Sequence, residues 1–161
     1  MHRLIVTICA LWLALVSVAA LAGGNPAQGS VRQACEDLVL DYAYYRDRRD
    51  AEPYAAIFAE DAVLSVLGVD YVGRDAIYRR LVEEKDPLTT RHMMSTIRIF
   101  DEGEGRATGV SYVTVWAAPA GEAPLLADKY LGLGEYHDEF RLTEAGWKIS
   151  KRTFVPVFRS E

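Results

Sequence analysis

From Thr89 onward the chain is written almost entirely in β-strand residues. Four long segments, "TTRHMMSTIRIFD", "GRATGVSYVTVWAA", "LLADKYLGLGEYHDEFRLT" and "GWKISKRTFVPVF", are separated only by the turn signals "EGEG", "PAGEAP" and "EAG". Strands joined by links this short lie antiparallel, and strands this long twist and bend. Ahead of them, "VRQACEDLVLDYAYYRDRRD" has no glycine or proline, and Ser30 offers an N-cap for a helix from Val31. Its apolar residues recur at helical spacing along two stripes, Val31, Cys35, Leu38, Tyr42, Tyr45 and Leu40, Ala43, Tyr44. "PYAAIFAED", with Pro53 in its first turn, and "GRDAIYRRLVEE" read as shorter helices. "AVLSVLG" and "VDYVG" read as a strand pair around Gly68. Helices and a hairpin first, then a four-strand meander, make an α+β plan. A curved sheet wrapped over a helix leaves a cone-shaped pocket between them, and polar side chains meeting there are candidates for chemistry.

The N-terminus restricts the folded part to one domain. Arg3 precedes an apolar run from Leu4 to Leu21 that ends in Ala20-Leu21-Ala22, the pattern of a secretory signal peptide cleaved near Ala22. An uncleaved anchor is the alternative, since the run is long enough to span a bilayer. Export to the periplasm or beyond is therefore expected, with no stable membrane anchor after cleavage. "GGNPAQGS" (23–30) reads as a flexible linker and 31–158 as the domain. The formal net charge of −5 becomes about −6 without Arg3, with acids and bases mixed, so no basic stripe invites nucleic acid. Cys9 falls in the signal, which leaves Cys35 without a partner for a disulfide.

Few residues can carry chemistry. Of the three histidines, His2 falls in the signal, and His137, between Tyr136 and Asp138, reads as an exposed or edge-strand residue. His92 sits within a strand whose two faces are both mixed: Met94, Thr96 and Arg98 on its own side, Arg91, Met93 and Ser95 on the other. Asp47 continues the Leu40, Ala43, Tyr44 stripe at i+7. It belongs either to the solvated run "RDRRD" or to a buried site, where it would need a partner. Facing His92, it would fix the imidazole tautomer and make the ring a better base near neutral pH. Histidines on separated strands without paired spacing give no metal site. No nucleophile elbow, P-loop or dinucleotide fingerprint is present, and the glycines of "LGLG" serve to bend a strand.

Several spaced motifs resemble SnoaL-like proteins of the nuclear-transport-factor-2-like superfamily. "YAYYRDRRDAEPYAAIFAEDAVLSVLG" carries that family's tyrosine, its aspartates and its F-A-E-D-A run at Tyr42, Asp47, Asp50 and Phe58 to Ala62. "GRDAI" resembles its G-x-x-x-I helix start. "RHMMST" resembles its R-H-x-x-x-N strand, with Thr96 where asparagine is usual. "GEYHDEFRLTEAGWKISKR" resembles its closing G-x-Y-x-D … G-W-x-I-x-x-R. The resemblance spans residues 31–155 and implies a cone: a long N-terminal helix and two shorter ones on a strongly curved, mostly antiparallel sheet. The branch resembled most closely holds scytalone dehydratase and bile-acid dehydratase, in which an acid from the first helix and a histidine from the R-H strand share a cofactor-free pocket.

By that resemblance Asp47, His92 and Tyr42 are the catalytic candidates, and Tyr45, Val66, Met94 and Tyr112 the substrate-binding ones. Val66 stands near the place of a pocket tyrosine, and Val110 to Thr114 offer no second histidine or acid. The implied activity is a cofactor-independent lyase, dehydratase or isomerase acting on a small hydroxylated, largely apolar and aromatic substrate. A secreted binding module for an apolar ligand is the competing class. No cofactor or metal is expected, and a homo-oligomer, dimer or trimer, is.

Overall fold

A computed structural model describes residues 30–85, 88–127 and 130–159. The expected signal peptide, and the linker up to residue 29, lie outside the described residues. Helix α1 (Val31–Arg48) begins where Ser30 accepts a hydrogen bond from the Gln33 N–H, and ends at Arg49, which adopts a left-handed conformation. Helices α2 (Ala51–Ala56) and α3 (Arg74–Val82) are short. Strands β1 (Phe58–Val66) and β2 (Val69–Val72) form a hairpin. β3 (Leu88–Gly103), β4 (Arg106–Pro119), β5 (Tyr130–Thr143) and β6 (Gly146–Arg159) form the expected meander.

All six strands make one curved, unclosed sheet in the order β2-β1-β6-β5-β4-β3, the α+β class expected. Every neighbouring pair is antiparallel except β1 and β6, which run parallel with Phe58 opposite Ile149. That pairing draws Phe58–Asp61 into β1, whereas local patterning places these residues at the end of a helix. A pairing partner ninety residues away overrides local propensity here. The core is packed between α1 and the concave face of the sheet. It is built on Cys35, Val39 and Tyr42 from α1, Phe58 and Leu64 from β1, and Val113 from β4. Burial raises the Cys35 thiol to about 12, so it is inert packing.

Helix α1 buries Cys35, Leu38, Val39, Tyr42, Ala43 and Arg46, a face lying between the two stripes read from the sequence. Leu40 and Tyr44 are half exposed.

The mixed faces of β3 have a local cause. Thr90 is buried and His92 and Met94 are partly so, but beyond Ser95 the inward residues become Ile97 and Ile99. A bulge between Ser95 and Arg98 shifts the parity by one. Thr96 lies in it with φ of 48°, a conformation that disfavours a β-branched side chain and suits asparagine. Thr96→Asn is therefore expected to stabilise the fold by about 1 kcal/mol, read as a raised denaturant midpoint with an unchanged slope. Gly134 has a different reason to be glycine. A Cβ there would run into the Val155 carbonyl oxygen and come within 2.7 Å of the Phe154 ring, which lies over this position.

Candidate active site

The last turn of α1 and the start of β3 bring Asp47 and His92 together. Asp47 Oδ2 accepts the His92 backbone N–H at 2.8 Å, and Oδ1 accepts the Thr90 hydroxyl at 2.8 Å. The His92 Nδ1 lies 2.6 Å from Oδ1. The two side chains are 8% and 9% exposed, so the pair is almost dry. Burial alone would raise the Asp47 carboxyl. The hydrogen bonds and charge of His92, and the Thr90 hydroxyl, outweigh it and hold Asp47 below its ordinary value. An ionised carboxylate only accepts, so the proton between them sits on Nδ1; in the neutral ring the lone pair is then on Nε2. Nε2 makes no hydrogen bond among the described residues, and His92 borders a cavity of about 610 Å³.

The cavity is the concavity of the sheet. Tyr42, Thr90, His92 and Tyr136 supply its polar floor; Val66, Val115 and Phe154 are among its apolar walls. The rings of Tyr42 and His92 meet edge to face with centroids 6.2 Å apart. Tyr42 also packs against Tyr136 and Tyr54, at 5.2 Å and 5.4 Å. Burial, then the neighbouring Tyr42 phenol, pushes Tyr54 and Tyr136 well above the ordinary tyrosine value, so both stay neutral donors.

Beneath this floor lies a buried ion pair. Arg152 Nε and Nη2 each donate to Asp138 at 2.7 Å, and both side chains are essentially without solvent contact. The Arg152 Cζ lies 4.3 Å from the Tyr42 ring centroid and 4.6 Å from that of Tyr136. The guanidinium therefore carries both phenols by cation–π contact. The cavity lining also includes Arg46 from α1 and Arg80 from α3, with Glu84 just beyond the end of α3.

Of the residues expected from sequence, the structure gathers Asp47, His92, Tyr42 and Val66 around one cavity. Three others are placed elsewhere. Tyr112 is 44% exposed on the outer face, because β4 turns Ser111, Val113 and Val115 inward. Tyr45 stacks on Tyr44 at the margin of α1, outside the lining. Met94 packs into the core beside His92 without lining the cavity. His137 is half exposed and bonds Glu135 across the outer face, as its surroundings imply. Thr90, Arg46, Arg80 and Tyr136 were not singled out as site residues. Spacing could have found two of them: Thr90 is two residues before His92 on the same strand face, and Arg46 one turn after Tyr42. Among the described residues no group of three or more His, Cys, Asp or Glu side chains is placed to hold a metal ion.

A family model for the SnoaL-like domain matches residues 29–153. The chain belongs to the SnoaL-like domain family. Solved structures share the fold. A candidate scytalone dehydratase from Novosphingobium aromaticivorans is 27% identical with a TM-score of 0.66, over 80% of this chain and 85% of that one. A variant of a Mycobacterium tuberculosis protein of unknown function is 25% identical with a TM-score of 0.68, over 78% and 70%. A hexachlorocyclohexane dehydrochlorinase is 20% identical with a TM-score of 0.70, over 80% and 86%. No curated protein matches the sequence. In this SnoaL-like domain, then, the Asp47–His92 pair lies at the floor of the cone that the sheet and α1 enclose.

Proposed function

We propose that the protein is a cofactor-independent lyase that removes water or formaldehyde from a small hydroxylated substrate with a largely apolar, aromatic body. The observation that carries this is the Asp47–His92 pair, with Nδ1 on the carboxylate and the imidazole bordering a largely apolar cavity. Nε2 takes a proton from a hydroxyl or from a carbon next to a carbonyl, and Asp47 balances the imidazolium. Tyr42 and Tyr136 hold the departing oxygen by hydrogen bonds. In loss of water, the proton gained by His92 leaves with the hydroxyl, so no other reactant is consumed. Loss of formaldehyde begins with deprotonation of the terminal hydroxyl and breaks the adjacent carbon–carbon bond, whose electron pair passes into the substrate's conjugated or carbonyl group before the imidazolium returns the proton to carbon. The name of the Novosphingobium relative, a candidate dehydratase, supports an elimination.

The reading includes export, with the N-terminal segment cleaved near Ala22. It also includes a homodimer or homotrimer, supported by the outer sheet face, where Met93, Tyr112 and Trp116 are exposed side by side. Incubation with hydroxylated aromatics, polyketides and sterols, followed by mass spectrometry, tests the activity. A mass loss equal to water or formaldehyde, absent in His92→Ala, is expected. Compounds retained by the protein but never altered would favour a binding module instead.

A further inference from the structure

The cavity carries a charge that this site chemistry does not use. The chain is acidic overall, with formal net charge −5, yet the cavity is lined by Arg46, Arg80 and Arg159 against one glutamate, Glu84. Glu84 is already committed, accepting from Arg49 Nη1 at 2.6 Å and from Arg46 Nη2 at 3.1 Å. Asp47 is likewise saturated by Thr90 and His92. Arg80 meets no carboxylate within 4 Å among the described residues. Its polar contacts are a long hydrogen bond to the Tyr54 hydroxyl, at 3.4 Å, and the face of the Tyr71 ring at 5.2 Å. Arg46 is 8% exposed, and its Nη1 has no hydrogen-bond partner. Glu84 lies near enough to feel the Arg80 charge but is hydrogen-bonded to Arg46 and Arg49, so positive charge is in excess around the cavity, and a ligand anion would offset it. The neutral Tyr54 phenol cannot do so.

We infer that the cavity takes a monocarboxylate, whose carboxylate is held by Arg80 with Arg46 beside it while its apolar body points to His92. The planar fork of arginine matches a carboxylate in two parallel hydrogen bonds. One glutamate shared among Arg46, Arg49 and Arg80 leaves the cavity cationic, and with its otherwise largely apolar lining this suits a single negative charge. Arg46, Arg80 and His92 all line the same cavity, so a substrate held by the arginines shares that space with the base. The inference rests on the lyase reading only in taking the bound acid for the substrate.

The test uses benzoate, with benzamide as its neutral isostere, titrated into the full chain while the arginine Nε–H resonances are followed by NMR. Benzoate is expected to shift the Arg80 and Arg46 signals and to bind ~10-fold or more tightly than benzamide. Added salt should weaken benzoate alone. Arg80→Gln should abolish the preference, with its thermal melt recorded alongside. If that variant does not fold, the wild-type comparison of acid, amide and salt still decides. No binding of benzoate, equal binding of benzamide, or a preference undiminished in a folded Arg80→Gln would overturn the site. Turnover plays no part in this readout. His92→Ala should keep the benzoate preference, so failure of the lyase reading and failure of the carboxylate site give different results.

Discussion

Replacing His92 by alanine is expected to lower turnover of any compound the protein converts by ~10²–10⁴-fold, with the fold retained. The imidazole borders the cavity, so its removal enlarges a space already present instead of opening a sealed void. Asp47→Asn tests the same machinery without changing volume. The carboxylate accepts three hydrogen bonds, from the Thr90 hydroxyl, the His92 amide and His92 Nδ1. An amide has one acceptor oxygen and an NH₂ that can donate to Nδ1, which would move the ring proton to Nε2 and remove the base. The loss should approach that of His92→Ala. A decrease below ~10-fold in Asp47→Asn, beside a dead His92→Ala, would rule out tautomer control by Asp47.

The pH dependence follows from the sign of the Asp47 shift. Its folded value lies below its unfolded value. The stability it contributes is therefore present above the unfolded value, about pH 4, and is lost as pH falls through the lower folded one. Pairing should survive mild acid, and the stability advantage of wild type over Asp47→Asn should shrink as pH falls below about 4, as measured by urea unfolding. An advantage that does not shrink there would contradict the ionised, His92-bound carboxylate.

The largest stability effect is expected at Asp138. Asp138→Ala leaves the Arg152 guanidinium, 0% exposed, without the carboxylate that pairs it among the described residues. Breaking a buried pair from one side costs about 3–5 kcal/mol, because the remaining charge stays desolvated. That is a large part of the stability of a domain this size. Asp138→Ala combined with Arg152→Met removes the stranded charge and should recover much of the loss. A recovery in the double variant, measured by chemical denaturation, separates charge stranding from simple cavity formation. A single-variant loss under about 1 kcal/mol would mean the guanidinium finds water instead. Activity should fall in both variants, since Tyr42 and Tyr136 rest on Arg152.

How far the sequence led can be followed residue by residue. The Ser30 cap, α1, the β1–β2 hairpin and the four-strand meander are all local patterns, and the structure has them where spacing places them. Periodicity offered two stripes on α1 without choosing between them; Cys35, Leu38 and Tyr42 of the first are buried, while Leu40 and Tyr44 of the second are half exposed. On β3, periodicity could not choose a face, since the bulge at Thr96 interrupts it. Tyr112 looked available by composition, and strand parity sends it outward. Arg46 lies in the charge run "RDRRD", which the sequence leaves open between a solvated face and a buried site. Only the return of Glu84 at the end of α3 shows it to be buried and paired.

What the sequence determined by itself is the set of elements and their order. Turn residues, caps and apolar periods act within a few positions of one another and carry that information locally. What only the tertiary structure decided is every relation across the sheet. The parallel joining of β1 to β6, the 2.6 Å contact of Asp47 with His92 across 45 positions, and the Asp138–Arg152 pair under two phenols all depend on how far the sheet curves. Curvature comes from bulges and long-range packing, whose energies belong to pairs of distant residues and leave no period in the chain.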